Sequence, residues 1–297
     1  MAHPRIKSLT GSMNKPVEDQ LTLVLAGTGK TGRRIVSRLQ ARGLPVRIGS
    51  RKGEPPFDWR DQATWAPALR GVRSVYVAYI PDAAFPGAAA AVRSFSSLAA
   101  RNGVQHLVLV ADRGAAEAVR CERAVQESGT AWTVIRTGFI TQNFSEDVLA
   151  GAIRAGSVAL PVGGVTEPFT DAEDIADVAV AALTEPGHTS RTYDVTGPRL
   201  MTFADAVEEI ANETSRKIDY VPVTTEQFIA TLIDLGTPAP FAAQLADLMA
   251  EVFDGRRSHL ADGVQQALGR EPRDFTDYVR ETAATGAWNP VQAATDG

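Results

Sequence analysis

The stretch LTLVLAGTGKTG at residues 21–32, running on into RRIVSRL at 33–39, decides the fold. LTLVLA is a short apolar run ended by glycine, which suits a strand buried on both faces of a parallel sheet. GTGKTG places Gly27, Gly29 and Gly32 in the G-x-G-x-x-G spacing, directly after that strand and before a helix carrying Ile35, Val36 and Leu39. Alone the string is a weak signal; between a strand and a helix it is a strong one for dinucleotide binding. The first glycine permits the tight turn, the second admits a pyrophosphate close to backbone amides, and the third lets helix and strand pack closely. The helix N-terminus adds partial positive charge. Thr28, Lys30 and Thr31 fill the remaining loop positions. A nucleoside-triphosphate loop is disfavoured by spacing, because four residues must separate its first glycine from Gly-Lys-Ser/Thr.

The next strand, PVRIGS at 45–50, ends on Ser50-Arg51-Lys52, with no acid before Glu54. An NAD-specific site carries Asp or Glu at this place, whereas a hydroxyl and two cations suit the 2′-phosphate of NADP. A solvated basic turn is the plainer alternative. Further out, strands SVYVAYI, HLVLVA and TAWTVIR alternate with helices through Trp65 and Leu69, over Gly87–Asn102 and over Glu117–Ser128. The rhythm predicts six strands in this half, and βαβ units in a parallel sheet. After Thr137 it loosens: a helix over Asn143–Ala155, an isolated strand SVALPV, a helix from near Asp174, and strand RTYDV. Thr202 with Asp205 and Thr224 with Gln227 mark capped helix starts, the second opening helices across 225–253, and Phe275–Ala283 closes the pattern. The fold class expected is α/β, a doubly wound Rossmann sheet with a smaller, mostly helical C-terminal substrate lobe. The divisions are a disordered leader at 1–20, a nucleotide-binding core at 21–140, and a lobe at 141–297 interleaved with that core.

Composition narrows the function. The chain has 297 residues, 44% hydrophobic and 22% charged, with a formal net charge of −5. Without a basic block, nucleic acid is disfavoured as a partner, and no apolar run reaches the ~18 residues that span a bilayer. The single cysteine, Cys121, forbids an intrachain disulfide. It reads as helix packing, and the protein as cytoplasmic. The four histidines are scattered, so no metal site is expected, and His106 reads as structural. None of the five tyrosines has a lysine four residues on, and no lysine lies between Lys52 and Lys217. The Tyr-x-x-x-Lys acid of common short-chain dehydrogenases is therefore missing, as is Gly-x-Ser-x-Gly. Asp171, Glu173 and Asp174 precede a helix, where capping and dipole compensation account for them.

Five segments together carry a resemblance: GTGKTGRRIVSRL, FDW at 57–59, ESGTAWTVIRTGFITQNF at 127–144, EPFTDAEDIADVAVAAL at 167–183 and TYDVTGPRLMTFADAVEEIA at 192–211. They resemble the NmrA-like atypical short-chain dehydrogenase/reductases, nearest the agroclavine dehydrogenase/festuclavine synthase type, from about Leu21 to the C-terminal helix. The resemblance implies NADP(H) as cofactor. It matches the glycine loop to the pyrophosphate, Ser50-Arg51 to the 2′-phosphate, and Asp58 and Trp59 to the adenine side. Ala78, Tyr79 and Ile80 fall at the end of the expected fourth strand under the ribose. Ala111 and Asp112 end the fifth near the nicotinamide, and Gly138 and Phe139 follow the sixth on the same rim. Ala111 stands where the family often has Ser or Thr, Ala118 near its lysine, and Thr137 where proline is usual. Tyr79 and Asp112 are the catalytic candidates. For the substrate, Phe139, Phe144 and Phe169 read equally as an apolar wall or as core, and Asn143 as an orienting group or a helix cap. The expected activity is reduction of a small conjugated or cyclic electrophile (imine or iminium, quinone, enone) by an NADPH-dependent enzyme without a Tyr/Lys pair. The alternative is a non-catalytic NADP(H)-sensing regulator. Oligomeric state is not legible.

Overall fold

A computed structural model describes residues 21–290; the leader assigned to 1–20 lies outside the described residues. Six parallel strands form the main sheet in the order β2–β1–β3–β4–β5–β7: β1 (Thr22–Leu25), β2 (Val46–Gly49), β3 (Ser74–Val77), β4 (His106–Asp112), β5 (Ala131–Thr137) and β7 (Arg191–Val195). β6 (Ser157–Leu160) and β8 (Asp219–Pro222) pair as a separate parallel ribbon, so SVALPV is not isolated. The first half holds five strands, not six. Tyr79 and Phe139 accordingly follow the third and fifth, and Asp112 ends the fourth. Between β2 and β3 the chain passes through Pro55 and Pro56, which donate no backbone N–H to a ladder. It makes only a bridge from Asp58 to Asp61 and a short 3₁₀ turn before α2 (Trp65–Leu69). The sixth strand of the sheet comes from the second half.

Alternation along the strands sets two cores. Leu23, Leu25, Val75, Val77, Leu107 and Leu109 point to one face. There they meet α2, α3 (Ala88–Arg101) and α4 (Ala116–Gln126). Val24, Tyr76, Val108 and Ile135 point to the other, covered by α1 (Lys30–Ala41), α7 (Ala172–Thr184) and α11 (Gly263–Leu268). Between α4 and α7 lie α5 (Asn143–Glu146) and α6 (Val148–Ala155), which the extended backbone at Asp147 separates where one helix was expected. The remaining helices are α8 (Phe203–Glu213), α9 (Thr225–Asp234), α10 (Ala239–Val252) and α12 (Phe275–Ala284). Both expected capping boxes close, at Thr202 with Asp205 and Thr224 with Gln227. Phe203, Phe228, Phe253 and Phe275 belong to the same buried cluster as Leu23 and Val75. The second half thus shares the core of the first.

A ladder of charge fastens the glycine-loop helix to its neighbour. Arg34 on α1 bonds Glu146 at 2.8 Å and Glu173 at 2.5 Å, and Arg38 bonds Asp177 at 2.7 Å. Asp171 caps α7 by accepting from the Glu173 N–H, and the buried Asp174 takes Arg270 at 2.7 Å. These acids are structural, as is His106, which bonds Thr133 at 2.9 Å.

Candidate active site

Strand order reverses between β1 and β3, and the crevice beyond the strand ends at such a switch point is where doubly wound sheets take their ligands. The glycine loop lies there. Ala26 turns the chain with φ 51°, and the Gly29 N–H donates to the Ala26 carbonyl at 2.8 Å. No side chain caps α1, so the open amides of its first turn are left for an anion. A Cβ on Gly32 would lie 2.1 Å from the Ala26 oxygen, whereas one on Gly29 would come no nearer than 3.2 Å to that oxygen. Packing therefore demands glycine at 32 far more than at 29. Thr31 is held by the buried Tyr76, whose hydroxyl donates to its oxygen at 3.0 Å. The Lys30 ammonium is turned to Asp147.

Beside the loop runs a groove of about 520 Å³ lined by Thr28, Ile48, Ser50, Lys52, Gly53 and Glu54, among others. The Ser50 carbonyl accepts from Gly53 and Phe57 N–H groups at 2.9 Å each, closing the turn. Arg51 and Lys52 stand exposed upon it. Glu54, the first acid past β2, lines the same groove. Asp58 is spent on its own turn, accepting from the Arg60 N–H at 2.9 Å. The Trp59 indole donates to the Ala78 carbonyl at 3.0 Å, and its ring lies 5.1 Å from that of Tyr79. Ala78 is buried and its carbonyl is taken, Tyr79 is half-buried, and Ile80 is exposed. An uncapped helix start, a basic turn and a long groove fit the pyrophosphate and adenosine of a dinucleotide.

Across the crevice, β4 and β5 end in a charged layer. Ala111 is buried, and Asp112 takes both its oxygens to Arg257 Nη1 at 2.8 Å each. Burial pushes the Asp112 carboxyl up, against the pull of that guanidinium. Arg113 Nη2 donates to the His259 carbonyl at 2.8 Å. Glu167, 1% exposed, accepts from the Phe139 N–H at 3.2 Å. Its oxygen would lie 2.0 Å from a Cβ on Gly138, so its carboxylate occupies the space a side chain there would need. Burial pushes Glu167 up as well, and the hydroxyl of Tyr79 likewise.

Phe139, directly past β5, is half-buried, 5.5 Å from Phe144, 5.8 Å from Phe169 and 5.0 Å from Phe203. Phe144 is fully buried and Phe169 is 3% exposed. Of the expected wall only Phe139 keeps part of its surface exposed; the other two are buried against it. Asn143 does not cap α5, which has no side-chain cap. Neighbouring Gln142 bonds the Ala172 N–H and Asp171 instead, at 2.8 and 2.7 Å. Sequence reasoning passed over three cleft residues: Glu167, Arg257 and Asp82, the last on the loop after β3. Phe85 of that loop stacks on Phe241 of α10 at 5.6 Å. Pro81-Asp82 directly past a strand end was a usable signal for Asp82. Arg257 gave none, being 145 residues from its partner. Among the described residues no group of His, Cys, Asp and Glu could hold a metal, and no helix is long and apolar enough to cross a membrane.

Comparison with known proteins agrees with this geometry. Residues 26–186 match the NAD(P)H-binding family. The NAD(P)H azoreductase of Xenophilus azovorans is 33% identical over 89% of this chain and 98% of its own. The agroclavine dehydrogenase of Claviceps fusiformis is 30% identical over 87% and 96%. Among solved structures, the triphenylmethane reductase of Citrobacter sp. complexed with NADP(H) superposes with a TM-score of 0.71 at 19% identity, covering 89% and 99%. The chain belongs to the NAD(P)H-binding family and is an oxidoreductase with a Rossmann fold.

Proposed function

We propose that the protein is an NADPH-dependent reductase of small conjugated or cyclic electrophiles: iminium ions, quinones or enones. What supports this reading is that the uncapped start of α1 and the exposed basic turn after β2 stand at the same end of the parallel sheet as the half-buried Phe139, which follows β5. The relatives named NAD(P)H azoreductase and agroclavine dehydrogenase support it.

In this reading residues 27–32 hold the pyrophosphate through backbone amides, Ser50 and Arg51 hold the 2′-phosphate, and Trp59 with Tyr79 flanks the adenine and ribose side. When bound, the nicotinamide supplies hydride. The chain's own work is positioning and the exclusion of water: Phe139 presents a flat surface for a planar acceptor, with the second half of the described chain packed beside it. Asp112 is not free to move a proton, being held by Arg257. An iminium or quinone is already a good hydride acceptor, which fits a site without a Tyr/Lys pair. The test is consumption of NADPH with a panel of these acceptors. Turnover of at least one class is expected. Tight NADPH binding without turnover of any would instead identify a dinucleotide sensor.

A further inference from the structure

The acids around the cleft differ in what they have left to give. Asp112 is bound through both oxygens to Arg257. Glu167 is 1% exposed behind Gly138. Glu117 accepts from Gly87 and Ala89 N–H groups at 3.1 and 2.9 Å and pairs with Arg120. The Cys121 thiol is buried beneath the loop after β3, donating to the Ala83 carbonyl at 3.5 Å, and is pushed up to about 12. Asp82 is different. It is exposed at the crevice end of β3, three residues past Tyr79. Its Oδ1 is anchored by the Ala84 N–H at 2.8 Å, and its Oδ2 has no hydrogen-bond partner among the described residues.

We propose that Asp82 is the proton donor of this site, which rests on the reductase reading above. Hydride arriving on a quinone or enone leaves a negative oxygen or enolate. Asp82 in its acid form gives that product its proton, becomes a carboxylate, and is reprotonated by water; an iminium becomes a neutral amine and needs no proton. The surroundings suit the task. Asp112 from β4, Arg257 from the loop after α10 and Lys30 from α1 all act on its charge, Lys30 being itself paired with Asp147, while Cys121 faces it from α4. The residue is exposed to solvent, and the protein around its carboxyl partly desolvates it. That desolvation, with the nearby Asp112 carboxylate, pushes Asp82 up to about 6, within reach of neutral pH for a general acid.

The experiment compares wild type, Asp82→Asn and Asp82→Glu with a quinone and with a preformed iminium across pH 5–9, alongside NADPH affinity. Carbon-13 NMR of carboxyl-labelled aspartate follows Asp82 itself without cofactor. The expected result is a fall in wild-type quinone reduction above about pH 6. Asp82→Asn should lose ~10²-fold in quinone kcat and lose that pH limb. Asp82→Glu should restore part of the rate, and iminium reduction and NADPH affinity should stay within about threefold. A resonance absent from Asp82→Asn should titrate near 6 in wild type. Quinone reduction by Asp82→Asn at the wild-type rate with the limb intact overturns the proposal. So does equal loss with both acceptors, or a resonance titrating near the ordinary ~3.9. A wild type that reduces neither acceptor overturns the reductase reading itself, and the donor role with it.

Discussion

Gly29 and Gly32 stand three residues apart and differ in what a methyl group would strike. At Gly32 it would lie 2.1 Å from the Ala26 carbonyl oxygen, so Gly32→Ala should cost about 3 kcal/mol or more, read by denaturant unfolding. At Gly29 the backbone is extended, with φ −81°. Gly29→Val should leave the unfolding midpoint nearly unchanged and abolish NADPH binding, because its side chain fills the space a phosphate oxygen must enter ~3 Å from the amides. Unchanged affinity would misplace the loop. Arg51→Glu should lose ~10–100-fold in affinity for NADPH with little change for NADH, measured by calorimetry. Tyr79→Phe should change kcat less than ~10-fold, since burial makes its hydroxyl a poorer acid, while Tyr79→Ala should mainly raise KM. Asp82 carries a sign that can be worked out. Its carboxyl titrates higher folded, about 6, than unfolded, ~3.9. The native state therefore holds more protons between those values, and stability falls as pH rises from 4 to 6. Asp82→Asn should raise the melting temperature at pH 7 and leave it unchanged at pH 4. The glycines and the basic turn were legible because backbone approach and phosphate charge leave local marks. Asp112 was found by position in the strand, but its engagement was not.

That engagement belongs to the scale of elements. Arg257, 8% exposed in its side chain, ties the loop after α10 to the end of β4 through Asp112. Removing the guanidinium strands a buried carboxylate, so Arg257→Met should cost ~3–5 kcal/mol at neutral pH. Adding Asp112→Asn should recover much of that loss, a coupling that a double-mutant cycle reads directly. Additive losses would show that the two side chains act separately. Helix starts were readable one by one, since a capping box spans only three residues, and Thr202 and Thr224 closed theirs as expected. The break between α5 and α6 was not, because periodicity runs through Asp147 and the extended backbone there goes with tertiary partners. Asp147 meets Lys30, and Glu146 beside it meets Arg34. Phe144 and Phe169 show the same limit: an aromatic near a strand end reads alike as wall or as core until its neighbours Phe203 and Phe275 are placed around it.

For the whole molecule, alternation of strand and helix sufficed for the Rossmann class, and misjudged one strand. The count of six in the first half exceeds the five strands that form there, and Arg191–Val195 supplies the sixth of the sheet from the second half. The helical lobe packs into the same buried cluster as the sheet. The charged layer at the ends of β4 and β5 is therefore built by residues far apart in sequence, such as Asp112 and Arg257, which is why it was not legible. The central claim is hydride delivery to a conjugated acceptor held over Phe139. The measurement that meets it most directly is transfer of label from NADPH carrying deuterium at the nicotinamide C4, with an enone or iminium acceptor and mass analysis of the product. The account expects one deuterium bound to carbon in each product molecule, formed faster from NADPH than from NADH and absent with Gly29→Val. Saturating NADPH binding with no labelled product from any acceptor in the panel would contradict it.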